Sequence, residues 1–297
     1  MRAIWSLWCK PMRGVYRGGW PGLRPHLLSW ALSVQSCRRF FDSVHLVADS
    51  EAARLLVDGL GLEFDSVSLE LDALDGGNPD LWALGKLYAY RAQQEPFLHI
   101  DADAYLWKPP RGEPEKADVY AAYPEIRPYG QSYYRCASLK ALVHRTRGWL
   151  PEELDVYVPP AGMMQAENCA VVGGNRIDFL NYYADLAIRA IEHPANRHAW
   201  AQRSDMMMDM LIFEQHMLAA TRLYHAGREG SPFADVGVAY MFNSEETCAR
   251  ESGAAGFTHL ISRAKDDPAL LSRLSARVAR DHPEFFDRVT AMVPEAA

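Results

Sequence analysis

The sequence lacks the features that mark disulfide-stabilised, zinc-binding and membrane-spanning proteins. No apolar run approaches the roughly 18 residues that a membrane-spanning helix requires. The short apolar stretch at residues 3–9 is not followed by the small-residue cleavage site of an export signal. The cysteines have no paired spacing, which argues against a disulfide framework or a cysteine zinc site. We therefore expect a cytoplasmic protein without an integral membrane segment. The cysteines are Cys9, Cys37, Cys136, Cys169 and Cys248.

Acidic residues are absent from the first 41 positions, although the chain as a whole is acidic. The formal net charge is -7. A net negative charge argues against general nucleic-acid binding. The basic amino-terminal segment suits a small polyanion such as a nucleotide diphosphate, and a solvated basic face is the open alternative. Its basic residues are Arg2, Lys10, Arg13, Arg17, Arg24, Arg38 and Arg39.

The length and the hydrophobic pattern predict one large α/β domain, or one such domain with an appendage. The chain has 297 residues, of which 49% are hydrophobic and 23% charged, as in ordinary globular proteins. Repeated strand–helix units indicate a doubly wound, mainly parallel sheet flanked by helices. The predicted strands are 3–7, 44–48, 97–100 and 170–172, and the predicted helices are 26–38, 51–60, 79–94, 177–192, 205–220 and one after 267. Loops are predicted over 14–25 and 120–135.

The most informative segment is an apolar strand that runs directly into two aspartates. Residues 97–100 read Phe-Leu-His-Ile, and Asp101-Ala102-Asp103 follows them. A buried strand fixes the backbone that follows it, so both carboxylates should leave at the strand end. Mg²⁺ and Mn²⁺ prefer oxygen ligands and are usually shared between one or two carboxylates and substrate phosphates. The segment therefore predicts a metal–diphosphate site at a carboxyl strand end, with two solvated turn acids as the alternative.

Five segments occur in the order found in one enzyme family. In that order the chain resembles the GT-A-fold (Rossmann-like) glycosyltransferases, most closely the retaining glycogenin-like and galactosyltransferase-like group, called family 8-type. The resemblance covers about residues 1–265 and is typical of a divergent, bacterial-type branch. It implies a nucleotide-sugar-binding and catalytic domain over 1–265 and a carboxyl-terminal helical extension over 266–297. The segments are Gly85-Lys86-Leu87-Tyr88, Asp101-Ala102-Asp103, Asn168-Cys169-Ala170-Val171-Val172-Gly173-Gly174, Glu214-Gln215 and His259-Leu260-Ile261-Ser262-Arg263-Ala264-Lys265.

The resemblance also implies a function and a set of site residues. The expected activity is metal-dependent transfer of a sugar from a nucleoside-diphosphate sugar, UDP-linked, to an unidentified glycan or small-molecule acceptor, with retention. An imidazole ligand favours Mn²⁺ over Mg²⁺. The implied metal ligands are Asp101, Asp103 and His259. The implied catalytic residues are Glu214, Gln215 and Lys86. The implied donor-binding residues are Ser6, Trp8, Lys86, Asp101, Ala102, Gly173, Gly174 and Lys265.

Several positions depart from the family pattern. Ala170 and Ser262 stand where the family has glycine, and Glu214 stands where it has aspartate. Asp266-Asp267 follows the last lysine in place of Pro-Trp. These departures keep open a catalytically degenerate sugar-nucleotide-binding subunit of polysaccharide assembly.

Two further interpretations depend on single segments. A sugar nucleotidyltransferase is a second enzyme hypothesis, but residues 9–14 after the first strand contain one glycine rather than a glycine-rich signature.

Tryptophans are candidates for stacking on a base or a sugar, although most tryptophans belong to the core. The candidates are Trp5, Trp8, Trp20 and Trp107, whereas the methionines at 206–208 and 210 are expected to fill the core.

Overall fold

Strands and helices alternate along the chain, as the sequence predicts. The computed structural model describes residues 1–13, 17–130, 133–203 and 205–294. Residues 14–16, in the predicted loop after the first strand, lie outside the described residues. The strands are β1 (Arg2–Leu7), β2 (Val44–Ala48), β3 (Ser66–Ser68), β4 (Phe97–Ile100), β5 (Ala104–Leu106), β6 (Val119–Ala121), β7 (Pro124–Pro128), β8 (Met163–Glu167), β9 (Val171–Gly174), β10 (Val238–Tyr240) and β11 (Phe257–His259).

The helices cover both faces of the main sheet. Two π-helical segments, Arg54–Gly59 and Ile212–His216, continue α3 and join α9 to α10. The α-helices are α1 (Lys10–Arg13), α2 (Leu23–Cys37), α3 (Ser50–Ala53), α4 (Ala83–Arg91), α5 (Cys136–Arg145), α6 (Glu152–Asp155), α7 (Ile177–Glu192), α8 (Arg197–Trp200), α9 (Met206–Leu211), α10 (Met217–His225), α11 (Glu245–Ala255), α12 (Pro268–Asp281) and α13 (Pro283–Met292).

The main sheet confirms the α/β prediction. Its seven strands lie in the order β10-β6-β9-β4-β1-β2-β3. The pairs β1–β2, β1–β4, β2–β3 and β6–β10 are parallel, whereas β9 is antiparallel to both β4 and β6. The sheet is therefore mainly parallel with one reversed strand near its centre. Two smaller two-stranded pairs, β5–β11 and β7–β8, flank it.

The central strands alternate between two hydrophobic cores because successive side chains of a strand point to opposite faces. In β1, Ile4 packs on the side of α4 and α7, while Trp5 packs on the side of α2. In β4, Phe97 and Leu98 divide in the same way. Both faces are covered, which is why these strands read as nearly continuous apolar runs.

Two local predictions were wrong. The helix expected from Pro79 begins at Ala83, because the Asn78 side chain accepts a hydrogen bond from the Asp80 N–H (3.0 Å) and closes a turn instead. The loop expected over 120–135 contains the end of β6 and all of β7, which forms an antiparallel pair with β8. Pro124 and Pro128 bound β7, positions where the missing N–H is tolerated. Residues 131 and 132 of that predicted loop lie outside the described residues.

The carboxyl-terminal segment is helical and packs on the main body. Helices α12 and α13 both contact α2, and Leu274 and Val278 of α12 are buried there. A boundary at residue 265 stays a prediction. No helix of the described residues has the length and apolarity needed to cross a membrane.

Candidate active site

A pocket opens where several central strands end at the same edge of the sheet. Its volume is about 690 Å³. Residues that end or directly follow β1 and β4 line it, together with residues from α4, β7, α9, the π-segment before α10, and the end of β11 with the stretch after it. In α/β sheets, ligands bind at this carboxyl edge of the strands. The pocket is therefore the candidate active site.

The turn after β4 is held rigidly by hydrogen bonds to its backbone. The Asp101 N–H donates to the Ala170 carbonyl (2.9 Å), and the Ala104 N–H donates to the Asp101 carbonyl (2.9 Å). Two serines of α2 bind the same turn from below: Ser29 Oγ lies 2.6 Å from the Ala102 carbonyl and Ser33 Oγ 2.8 Å from the Ala104 carbonyl. This support aims both aspartate side chains into the pocket without involving the carboxylates themselves.

His259 reaches the same place from the far end of the chain. Strand β11 is antiparallel to β5, with His259 opposite Ala104, and the Leu260 N–H donates to the Asp103 carbonyl (3.0 Å). His259 Nε2 lies 3.4 Å from Asp103 Oδ1. One ligand-type atom each from Asp101, Asp103 and His259 falls within a 4.8 Å separation of the others. Two carboxylates and an imidazole at this spacing can hold a divalent cation.

Lys86 forms a bridge between two acids on one side of the pocket. Its Nζ lies 2.7 Å from Asp101 Oδ1 and 2.7 Å from Glu214 Oε1. The Glu214 side chain is fully buried. Burial raises the pKa of both carboxyl groups against the opposing effect of Lys86. Burial alone would lower the pKa of Lys86, but the two acids raise it well above its ordinary value. Lys86 therefore stays charged.

Lys265 forms a second ion pair on the other side. Its Nζ lies 2.5 Å from Asp103 Oδ2 and donates to the Gly18 carbonyl at 2.9 Å. The same nitrogen lies 5.3 Å from the centre of the Trp20 ring. Burial would raise the pKa of Asp103, but Lys265 and His259 hold it well below its ordinary value. Each acid of the Asp-X-Asp segment is thus paired with its own lysine.

A buried histidine links the end of β1 to this network. His99 Nε2 lies 2.9 Å from Ser6 Oγ, and its Nδ1 lies 3.6 Å from Asp101 Oδ1. Burial and the Lys86 charge lower the pKa of His99 well below its ordinary value, so the imidazole is neutral. Ser6 and His99 both line the pocket, and the contact orients the Ser6 hydroxyl.

A family model matches almost the entire sequence. The model described as "Family of unknown function (DUF6734)" matches residues 1–292. The chain belongs to the DUF6734 family. No curated protein matches the sequence.

Solved structures of two glycosyltransferases align with this DUF6734 chain at low similarity. A galactosyltransferase, LgtC, in complex with donor and acceptor sugar analogues, is 11% identical with a TM-score of 0.41, and the alignment covers 100% of this chain and 98% of LgtC. The apo form of mouse xyloside xylosyltransferase 1 is 12% identical with a TM-score of 0.32, covering 74% of this chain and 80% of the other.

Most of the residues that the sequence suggested for the site meet in the pocket of the DUF6734 chain. The predicted residues that line it are Ser6, Trp8, Lys86, Asp101, Ala102, Asp103, Glu214, Gln215, His259 and Lys265. Gln215 accepts a hydrogen bond from the Tyr134 hydroxyl (2.6 Å), whereas the carboxylate of the neighbouring Glu214 forms an ion pair with Lys86. The two residues therefore have different surroundings although they are adjacent in sequence.

Gly173 and Gly174, which the resemblance implied as donor-binding residues, do not line the pocket. Strand β9 is antiparallel to β4, so its last residue, Gly174, pairs with Phe97 at the edge opposite the pocket. Glycine is needed there for backbone packing. A Cβ atom would lie 2.0 Å from the Phe97 carbonyl oxygen at Gly173, and 2.2 Å from the Asp118 carbonyl oxygen at Gly174.

Only some of the tryptophans and methionines singled out in the sequence line the pocket. Trp8 and Trp20 line the pocket, whereas Trp5 is completely buried and Trp107 lies outside the lining. The expectation that the methionine cluster fills the core holds for buried Met210. It was wrong for the two methionines at 207 and 208, which line the pocket.

Sequence reasoning missed the polar residues at the opposite end of the pocket. Glu125 is buried and accepts hydrogen bonds from the Tyr134 hydroxyl (3.1 Å) and the Asn168 amide (3.0 Å). Arg127 lies 3.9 Å from Glu125 and also pairs with Glu245 of α11. The available signal was Asn168, the first residue of a recognised segment, which lies at the pocket edge because β9 runs antiparallel.

Proposed function

We propose that this chain is a metal-dependent glycosyltransferase that uses a nucleoside-diphosphate sugar, UDP-linked, and transfers the sugar to an unidentified acceptor with retention. The observation that carries the proposal is the convergence of Asp101, Asp103 and His259 with Lys265 in one pocket. About 155 residues separate the aspartates from the histidine. This convergence is difficult to explain as two solvated turn acids.

The two carboxylates and the imidazole in this pocket are suitable ligands for a divalent cation. Asp103 Oδ1 and Glu214 Oε2 are buried atoms that have no hydrogen-bond partner within the described part of the chain. A buried carboxylate oxygen without a partner carries a large desolvation cost unless a cation or another donor satisfies it. Asp101, Asp103 and His259 would hold the ion, and the chemistry it supplies is Lewis-acid neutralisation of the departing nucleoside diphosphate.

The remaining residues of the pocket would bind and position the donor. Lys265 carries a point charge suited to phosphate oxygens, because an ammonium has three donors on a flexible stem. Lys86 is fixed between two carboxylates and would stabilise charge close to the reacting centre. Gln215 offers an amide to the sugar, while the buried Glu214 orients Lys86. A carboxylate nucleophile and a front-face route both remain compatible with retention.

Nucleotide binding and donor turnover test the proposal directly. Thermal-shift measurements with UDP, GDP and CDP, with and without Mn²⁺, should give stabilisation by UDP that depends on Mn²⁺. Calorimetry on Asp103→Ala should then show at least roughly a 100-fold loss of Mn²⁺-dependent UDP affinity, since even outer-shell changes cost 10–100-fold. His259→Ala should lose less, because two acids still hold the ion.

Asp58→Ala is the matched control, since Asp58 is an exposed aspartate far from the pocket lining. It should bind UDP and Mn²⁺ as the native chain does. Unchanged UDP affinity in Asp103→Ala would contradict the metal assignment. Tight UDP and Mn²⁺ binding without any release of UDP from UDP-sugars would instead favour the catalytically degenerate binding subunit.

A further inference from the structure

We propose that Lys265 neutralises the Asp103 carboxylate until a diphosphate arrives, so that the metal and the diphosphate bind with strong positive coupling. The inference rests on the proposed function and adds an order of events to the same site. In this arrangement the ligand-free site resists a lone divalent cation. Binding of the donor diphosphate moves the Lys265 ammonium from Asp103 to phosphate oxygens and frees the carboxylate for the ion.

The contacts of Lys265 show that it pairs with a carboxylate that the ion would use, through the oxygen that faces away from His259. Its Nζ is 2.5 Å from Asp103 Oδ2, and its side chain is only 11% exposed. The Gly18 carbonyl and the Trp20 ring complete a small cage around the ammonium. Asp103 Oδ1, on the other side of the same carboxylate, faces His259. An ion shared by Asp103 and His259 would therefore meet a positive charge on the same carboxylate.

Charge balance favours joint binding over separate binding. Three carboxylates, from Asp101, Asp103 and Glu214, already face two ammonium groups, from Lys86 and Lys265. A divalent ion that enters alone is repelled by both lysines in a poorly solvated site, where such interactions are strong. A diphosphate supplies the missing negative charge and offers Lys265 a new partner. Each ligand therefore lowers the cost of binding the other.

Local structure indicates that Lys265 moves and Lys86 does not. Lys86 lies in helix α4 and bridges two carboxylates, one of them fully buried. Lys265 ends a short 3-10 turn, Ser262–Lys265, that follows β11. Ser262 has φ of +50°, a left-handed conformation that a serine adopts at a cost, and residues 261–263 are exposed. The exposed residues 261–263 therefore add little packing that would oppose a movement of Lys265.

Lys265→Met separates the two roles of the lysine, because methionine keeps the apolar stem and removes the charge. Calorimetry with Mn²⁺ alone should show roughly tenfold tighter binding to Lys265→Met than to the native chain, which lies within the usual range of site coupling. The increase in Mn²⁺ affinity produced by saturating UDP should be large in the native chain and smaller in the variant. Lys265→Gln should behave in the same way, which guards against a packing effect of methionine.

Lys116→Met is the matched control, since Lys116 also pairs with a carboxylate, that of Glu113, but in an exposed position away from the pocket. Its Mn²⁺ affinity should equal that of the native chain. Equal or weaker binding of Mn²⁺ alone by both Lys265 variants, with UDP-dependent binding intact in the native chain, would overturn the inference and leave the proposed function standing. Absence of Mn²⁺ binding in every protein, with and without UDP, would overturn both.

Discussion

Replacing Lys86 with methionine tests how much this lysine stabilises the folded chain by pairing with the carboxylates of Asp101 and Glu214. Lys86 is the cation between Asp101 and Glu214, at 2.7 Å from each. Methionine fills a similar volume without the charge, so Glu214 keeps a buried carboxyl group with no cation beside it. Removing one partner of a buried ion pair costs about 3–5 kcal/mol, chiefly because the remaining charge is left uncompensated.

The size of the effect can be expressed as a melting temperature. Unfolding entropy near 60 °C is about 2.1 cal/mol/K per residue, or about 0.6 kcal/mol/K for a chain of this length. A loss of about 3–5 kcal/mol should therefore lower Tm by roughly 5–8 °C. Because Asp101 and Lys86 are 17% and 19% exposed, water relieves part of the cost, and the lower end of the range is expected.

The double variant Lys86→Met/Glu214→Gln gives the decisive comparison. A neutral amide in place of the buried carboxylate removes the uncompensated charge, so the double variant should regain at least about 1 kcal/mol relative to Lys86→Met. Urea unfolding at pH 7 measures all three proteins, and Lys116→Met should leave the midpoint unchanged. A Lys86→Met variant as stable as the native chain, or a double variant no more stable than the single one, would refute the reasoning.

Two other predictions concern stability away from the pocket. Gly173→Ala should lower the free energy of unfolding by about 2 kcal/mol or more, because its Cβ would lie 2.0 Å from the Phe97 carbonyl oxygen. Gly76→Ala, whose Cβ would have no atom within 4 Å, should leave the urea midpoint nearly unchanged. Equal effects of the two substitutions would contradict the packing argument. Burial, opposed in part by Arg222, raises the pKa of Glu167 from 4.5 to about 7. Between pH 4.5 and pH 7 the folded chain therefore keeps a proton on Glu167 that the unfolded chain has lost. The free energy of unfolding should fall by about 3 kcal/mol as the pH rises through this range. Glu167→Gln should gain that amount relative to the native chain between pH 4.5 and pH 8 in urea unfolding, and parallel stability curves for the two proteins would exclude it.

Local sequence was sufficient to locate the strands that build the pocket. Phe97–Ile100 and Val44–Ala48 are mostly apolar runs, each with one histidine, that match β4 and β2, because strands covered on both faces need apolar side chains at most positions. Asp49 after β2 also behaves as its position suggests: it accepts a hydrogen bond from the Ala52 N–H and caps α3. These features depend on neighbours in the chain.

The helix boundaries and the pairing of β7 with β8 were harder to predict from the sequence. Asn78 and Pro79 form a typical helix start, yet the Asn78 side chain closes a turn and the helix begins at Ala83. The antiparallel pairing of β7 with β8 joins segments about 40 residues apart, and the prolines of β7 made that strand resemble a loop. Pairings between distant segments have no local signature, so Glu125 was missed.

The sequence by itself determined the Asp-X-Asp segment at a buried strand end, the α/β class and most of the helices, because each follows from hydrophobic period and from residues that are adjacent in the chain. The tertiary structure alone decided the direction of β9, which brings Asn168 to the pocket edge and sends Gly173 and Gly174 to the opposite edge. It also decided that Lys86 and Lys265 each neutralise one aspartate. Strand direction and long-range ion pairs result from packing the whole chain around two cores, and no local pattern encodes them.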